Sequence, residues 1–500
     1  MKKRKRIIGW KLILTLSLVL TGFKPAGAEI QITDDFSLAG FLRYQLGVHT
    51  GSSNPNNPLQ EENHNFTLSR AFLVTEWNYE PTEVFQLFTK ARFMGDQTKG
   101  IDDNLRSYDA FPVDVSKNDW TLMKAVDSDE YRAEVWELYG DIKAGDLWLR
   151  LGKQQIVWGE MIGTRILDVI NPLDMSWNLN FEPEEYENIR IPNWAIRASY
   201  LIKQPFFEEL SIEGFLNPGD ILPQQNPDSG SPFNLMNLPP YLRIHEEHRR
   251  GDVEYGFRLG YKVKGIYGTL CYMYLYDDSS KLETKGFIPD PVNGVPFFAA
   301  QGDFTPYAML LDAEYQPMDV YGMTLNYDLT YPYNMVFTYE GAWIPNKPYQ
   351  DRLSPTPEIR DLGTFNWALR IDRPTGVFPP RFMGVDFQYM KVMFQFSQTI
   401  REGDADIVAG SNSSKIDKTD EMIILKFTQP FNHNNWEPMI QFVYDLDDAY
   451  MVKPGVKYVY GDHWYFDLYG VFIGGTETRP GRLGYLDYAS EIFGRITYQF

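Results

Sequence analysis

Alternation of apolar and polar residues, repeated in segments of roughly ten, dominates the chain from Phe36 onward. In its cleanest instance Tyr255, Phe257, Leu259, Tyr261 and Val263 fall on one face, and Glu254, Gly256, Arg258, Gly260 and Lys262 on the other. That is the pattern of a strand, whose successive side chains point to opposite sides. Leu147, Leu149 and Leu151 oppose Trp148, Arg150, Gly152 and Gln154 in the same way. At the end of the chain, Ile492, Ile496, Tyr498 and Phe500 oppose Glu491, Arg495, Thr497 and Gln499.

Eighteen such segments are predicted, near residues 36–48, 66–78, 82–94, 132–142, 147–157, 190–202, 210–216, 254–263, 266–276, 318–328, 334–343, 362–372, 382–398, 421–429, 437–444, 451–460, 464–473 and 489–500. Their connections fall into two length classes, short at 79–81, 143–145 and 264–265, and long at 49–65, 158–189 and 217–251. Outer-membrane barrels have short periplasmic turns and long extracellular loops, and an even strand count leaves both termini in the periplasm. The expected fold is therefore all-β, a transmembrane antiparallel β-barrel of about 18 strands, with 16 as the alternative. Residues 277–317 fit this rhythm as an extracellular excursion, although Tyr307, Met309, Leu311, Ala313 and Tyr315 alternate.

The N-terminus changes the picture of where the chain resides. A basic start, Met1 to Arg6, is followed by the apolar run Leu12 to Leu20 and then Ala26-Gly27-Ala28. This reads as a secretory signal peptide over residues 1–28, cleaved after Ala28; the run is too short to span a bilayer as a helix, which needs about 20 residues. The expected organisation is one barrel domain over residues 29–500, exported to the cell outer membrane. Residues 1–28 hold seven Lys or Arg and no acid, so their removal carries the formal charge from −20 to −27. Such a balance argues against nucleic acid as a partner. A single cysteine, Cys271, excludes an internal disulfide framework.

The last strand must seal against the first so that no unpaired edge faces lipid. Its ending resembles the C-terminal signal of bacterial outer-membrane proteins, which assigns Tyr498 and Phe500 to assembly and implies the barrel-assembly machinery and outer-membrane lipid as partners.

A barrel of this size is wide enough for an aqueous channel unless loops fill it. Arg43, Arg70, Arg150, Arg197, Glu254, Arg258, Arg370 and Arg495 are expected to line the lumen. They would either shape permeation or pair structurally across a wet interior. Trp158, Glu160, Arg165, Asp168 and Asp174 lie in the long loop after the fifth strand. Gly159 is expected to permit a sharp exit from that strand, and Asn171-Pro172 to start a turn. The five residues would then return into the mouth as a constriction, or simply staple the loop to the wall.

Two loops are more apolar than exposure requires: Leu222, Phe233, Leu235, Met236, Leu238 and Tyr241 in one, and Phe287, Ile288, Val292, Val295, Phe297 and Phe298 in the other. They would fold into the mouth and grip a greasy solute, or pack as a plug. Enzymatic chemistry finds no support: there is no nucleophile elbow or phosphate-binding loop. His245-Glu246-Glu247-His248 spaces its histidines three apart rather than the four a helical zinc motif needs. No cofactor, metal or catalytic residue is expected.

Gly152-Lys153-Gln154-Gln155-Ile156-Val157-Trp158-Gly159-Glu160, followed by Asn171-Pro172-Leu173-Asp174 and Arg190-Ile191-Pro192, resembles a Gram-negative outer-membrane, porin-like family catalogued as domain of unknown function 1302. Its pattern is G-[KR]-Q-x-x-x-W-G-E with a downstream N-P-x-D; a weaker match lies near Tyr339 to Tyr349. The resemblance implies a passive pore for small solutes, with hydrophobic or lipid-like molecules as the sharper version. It also implies periplasmic lipid-carrier or exporter components as partners. A plugged, non-conducting barrel serving as an adhesin or envelope-assembly protein is the alternative.

Overall fold

The computed structural model describes residues 29–52, 66–97, 114–115, 123–128, 130–176, 186–221, 242–246, 249–250, 252–279, 281–289, 306–351, 358–402, 417–476 and 483–500. The expected signal peptide, Leu222 to Tyr241 and Val292 to Phe298 lie outside the described residues.

Eighteen strands form one closed antiparallel sheet. They are β1 (Phe36–His49), β2 (Phe66–Thr82), β3 (Phe85–Asp96), β4 (Tyr131–Ala144), β5 (Leu147–Gln154), β6 (Asn193–Leu201), β7 (Glu209–Asn217), β8 (Glu254–Val263), β9 (Ile266–Tyr276), β10 (Pro317–Leu329), β11 (Met335–Asp351), β12 (Glu358–Thr375), β13 (Met390–Arg401), β14 (Thr419–Thr428), β15 (Trp436–Asp445), β16 (Ala449–Tyr460), β17 (Trp464–Gly475) and β18 (Glu491–Gln499). Each pairs with its neighbour in sequence. β18 then closes on β1, in register from Phe41 opposite Gln499 to His49 opposite Glu491.

Alternation decides the two faces. Leu46, Leu151, Ile196, Ile212, Phe257, Leu270, Tyr321, Phe442 and Leu468 are exposed on the exterior. Soluble monomers do not carry an apolar surface this continuous, and it is the band a barrel presents to lipid. Their alternates point inward, where most are polar or charged.

Several expected boundaries move. β5 ends at Gln154 rather than Val157, and β11 and β12 extend beyond the predicted strands. The segment expected near 382–398 divides: Arg381–Phe382 and Val385–Asp386 form a separate small hairpin at the turn end, and β13 starts only at Met390. Gly384, with φ of 83°, makes that hairpin and breaks the alternation. The 277–317 excursion does leave the barrel. Lys281–Pro289 and Tyr307–Glu314 pair antiparallel, and the latter aligns parallel with Leu242–Glu246. Phe287 and Ile288 stand exposed on this hairpin.

The closing seam is doubly secured. The Phe500 N–H donates to Gly40 O and the Gly40 N–H to Phe500 O, both at 2.9 Å. Glu29–Thr33 folds back to pair with the start of β1, placing Ile30 opposite Leu38. The Phe500 ring is buried among Leu38 and Leu73, with Ile30, Leu42 and Trp77 packed around it. A Cβ on Gly40 would lie 2.2 Å from Val74 O and 3.1 Å from the ring, so this close approach requires glycine.

Deleting Phe500 removes both terminal hydrogen bonds and the centre of that cluster. The truncated protein is expected to yield several-fold less heat-modifiable barrel by gel shift, and equal yield would show that the seam closes without it.

Candidate functional site

The long connection from β5 to β6 turns into the lumen and crosses it. It carries Ile156, Trp158, Ile166, Leu167 and Ile170, all buried, against inward-facing Phe215, Met273, Leu275, Val320, Ala342, Ile344 and Ala368 on β7 and β9–β12. These inward positions break the polar rule of the interior, because the infolded segment and not water covers them. Burying a Leu or Ile side chain contributes about 1.5–3 kcal/mol, and this pays for ordering a long segment.

A segment without regular secondary structure must find partners for its backbone inside the barrel. Glu340 on β11 provides two: its carboxylate accepts the Glu160 N–H at 2.8 Å and the Leu167 N–H at 2.7 Å. Gln395 on β13 accepts the Ile162 N–H at 3.1 Å and donates to Ile162 O at 2.7 Å. Arg370 on β12 donates to Glu160 O at 2.6 Å. Asn171 is fully buried and clamps the segment's two ends, accepting the Ile156 N–H at 2.7 Å and donating to Ile191 O at 2.8 Å.

Each residue picked from the sequence has a defined partner. The Trp158 indole donates to Glu213 at 2.6 Å and meets Phe215 edge-on. The Glu160 carboxylate accepts from Asn326 at 3.1 Å and is exposed to the lumen. Arg165 donates to Asp168 O and Asn171 O, and pairs with Asp278 at 3.6 Å. Asp168 takes a forked contact from Arg190 at 2.7–3.0 Å. Asp174 sits between Arg132 at 2.7 Å and Arg92 at 3.0 Å. Burial alone would raise the Asp174 carboxyl, but Arg132 and then Arg92 hold it well below the usual carboxylate range. Burial pushes the Asp278 carboxyl up to about 7, with Arg165 opposing.

The eight expected lumen residues all lie on the inner face, and each is engaged. Arg43 donates to Thr497 at 3.1 Å, Arg70 pairs with Asp96, Arg150 with Asp141 at 2.7 Å, and Arg495 with Asp467 at 2.8 Å. Arg197 and Arg258 share Glu213, Arg370 pairs with Asp372, and Glu254 accepts from Tyr276 N and Asn217. Both signs run around the wall as paired charges.

Gly159 corrects the sequence reading. Its φ is not positive, and the strand has already ended. Glycine is required because a Cβ there would lie 2.5 Å from Asp168 N and 2.8 Å from Glu340 Oε1. Glu340, Gln395, Arg92 and Arg132 were not singled out from sequence, and Asn171 was read there only as the start of a turn. Only Glu340 left a trace, as an inward acid followed by Gly341 and Ala342.

Glu340→Ala strands the buried Leu167 N–H at about 1–3 kcal/mol and frees the part-buried Glu160 N–H, and Gly159→Ala forces overpacking at about 1–3 kcal/mol. Both variants are expected to lower the thermal midpoint of the detergent-solubilised barrel and to speed protease cleavage within 155–192. Unchanged cleavage of both would show that these contacts do not hold the segment.

No curated protein matches the sequence. Among solved structures, Acinetobacter baumannii OccAB3 aligns over 94% of this chain and 100% of its own with 9% identity and a TM-score of 0.48. OccAB2 of the same organism aligns over 94% and 99%, with 10% identity and a TM-score of 0.47. Salmonella typhi OmpF, solved in complex with daunomycin, aligns over 94% and 100%, with 10% identity and a TM-score of 0.41. These likenesses are too distant to carry an argument about this chain. A family model described as a protein of unknown function, DUF1302, matches residues 49–366, a span that holds β5, the infolded segment and its anchors Glu213, Glu340 and Asn326. The chain belongs to the DUF1302 family.

Proposed function

We propose that the protein is an outer-membrane barrel through which small solutes pass passively, with the segment between β5 and β6 setting the width of the route. The observation that carries this reading is the span of that segment: from β5 it reaches Glu340 on β11, Arg370 on β12 and Gln395 on β13. A loop held across a barrel by opposing walls narrows the lumen. Glu160 and Arg370 are then the charged groups that a solute meets on its exposed side.

Hydrophobic or lipid-like solutes are the sharper version of this reading. Exposed Phe287 and Ile288 on the hairpin that leaves the barrel after β9 support it. The barrel-assembly machinery acting on Tyr498 and Phe500, outer-membrane lipid around the exterior, and periplasmic lipid-carrier or exporter components are the partners that accompany it. The competing reading is a plugged barrel that serves as an adhesin or envelope-assembly protein, and the apolar packing of the infolded segment against the wall favours it.

Planar-bilayer recording separates the two. The wild-type protein is expected to open discrete channels, and the Glu340→Ala, Gln395→Ala double variant to conduct more, with noisier steps, because the segment loses its far anchors. Silence from both proteins would favour the plug. Equal, steady conductance from both would move the constriction elsewhere.

A further inference from the structure

The longest connection at the turn end, residues 376–389 between β12 and β13, carries apolar groups that no described residue covers. Met383 is 89% exposed and Tyr389 67%, with Val377, Phe378 and Phe382 open beside them. A turn in water needs none of these side chains, and such a gathering marks a contact surface. The connection does not hang free. It is tied sideways to the turn between β14 and β15: the Asn432 N–H donates to Asp386 O at 2.7 Å, the Gln388 N–H to Pro430 O at 3.1 Å, and the Gln429 side chain to Gln388 O at 2.8 Å.

Ring contacts continue this tie into the lipid-facing wall. The Phe378 ring lies 4.7 Å from Phe387, Phe387 5.7 Å from Phe431, and Phe431 stacks at 6.2 Å on Trp436. Trp436 meets Tyr458 at 4.4 Å across the ladder and shares the outward face of β15 with Phe442. Aromatic rings at the end of a barrel wall mark the boundary between lipid and water. The connection extends that belt beyond the strands. Charge agrees with this placement: in a chain of formal charge −20, residues 373–390 hold Arg373, Arg381 and a single acid, Asp386. Asp386 faces His433 at 4.0 Å. Both arginines are exposed, and neither guanidinium pairs with a described residue. Arg373 follows Trp367, Leu369 and Ile371 on the outward face of β12, the position from which a long cation reaches a headgroup while its stem stays among acyl chains.

We infer that this connection is a membrane anchor: its apolar tip, Phe378, Phe382 and Met383, enters the periplasmic leaflet of the outer membrane, and Arg373 and Arg381 bind the phosphates of anionic phospholipid there. A protein partner would cover the tip equally well, but it would not explain why the rings run on without a break into the lipid-facing belt, or why the cations flank the apolar groups. The inference depends on the barrel lying in the outer membrane and not on conduction.

Single cysteines on a Cys271→Ser background, labelled with bimane, report the seat of the tip in nanodiscs of phosphatidylcholine and phosphatidylglycerol. At Met383→Cys the label is expected to be quenched by lipid spin-labelled on its acyl chain. Iodide should quench it at least about threefold less than the same label at Asp462→Cys, exposed in the turn between β16 and β17. Spin-labelled phosphatidylglycerol should quench it about threefold better than the phosphatidylcholine analogue, and Arg373→Gln with Arg381→Gln should remove that preference. A label at Leu468→Cys on the exterior wall checks the membrane setting. Lipid quenching there with none at 383 overturns the inference and leaves the barrel in its membrane, whereas none at either site removes both. A label at 383 shielded from lipid and iodide alike points to a protein contact and overturns the inference too, as does a headgroup preference that survives loss of both arginines.

Discussion

Every backbone N–H and C=O inside a membrane must find a partner within the protein, because lipid offers none. This constraint shapes both levels of the structure. On the wall it demands a closed ladder, and the β1–β18 pairing supplies it, ending on the reciprocal bonds between Gly40 and Phe500. Inside the lumen the same need falls on a segment that has left the ladder. There, side chains of the wall replace strand neighbours: Glu340 and Gln395 receive N–H groups that a regular strand would have paired with carbonyls. Carboxyl and amide acceptors at these points hold the segment to one position, since a buried N–H left without a partner is costly.

Periodicity alone made the wall legible. A period of two, kept over many segments, fixes which residues face lipid and therefore the register of every strand. It located all eighteen strands with errors confined to their ends. The ends fail for a physical reason. Beyond the bilayer no lipid face enforces alternation, so β11 and β12 run on past their clear pattern, and the small hairpin around Gly384 interrupts what looked like one strand.

The infolded segment was half legible. Trp158, Glu160, Asp168 and Asp174 stood out through a short local motif, but the wall residues that hold the segment's backbone across the lumen lie far away in sequence. Glu340 is 173 residues from Leu167, and Gln395 is 233 from Ile162. No local pattern carries such a distance, and Glu340 reads on its strand as one more polar inward residue. Gly159 shows how a right residue can carry a wrong reason. Its importance is visible in W-G-E, but the crowding that requires it comes from the β11 wall and Asp168, neither adjacent in the chain.

The interior therefore divides by what covers it. Where the infolded segment lies against β7 and β9–β12, inward residues are apolar and small or branched. Elsewhere, arginines and acids pair along the wall and leave little uncompensated charge. Paired charges in a wet lumen add modestly to stability and present solutes with a nearly neutral, strongly dipolar surface. The apolar half holds the infolded segment in place, while the paired charges keep the rest of the wall polar without leaving it strongly charged.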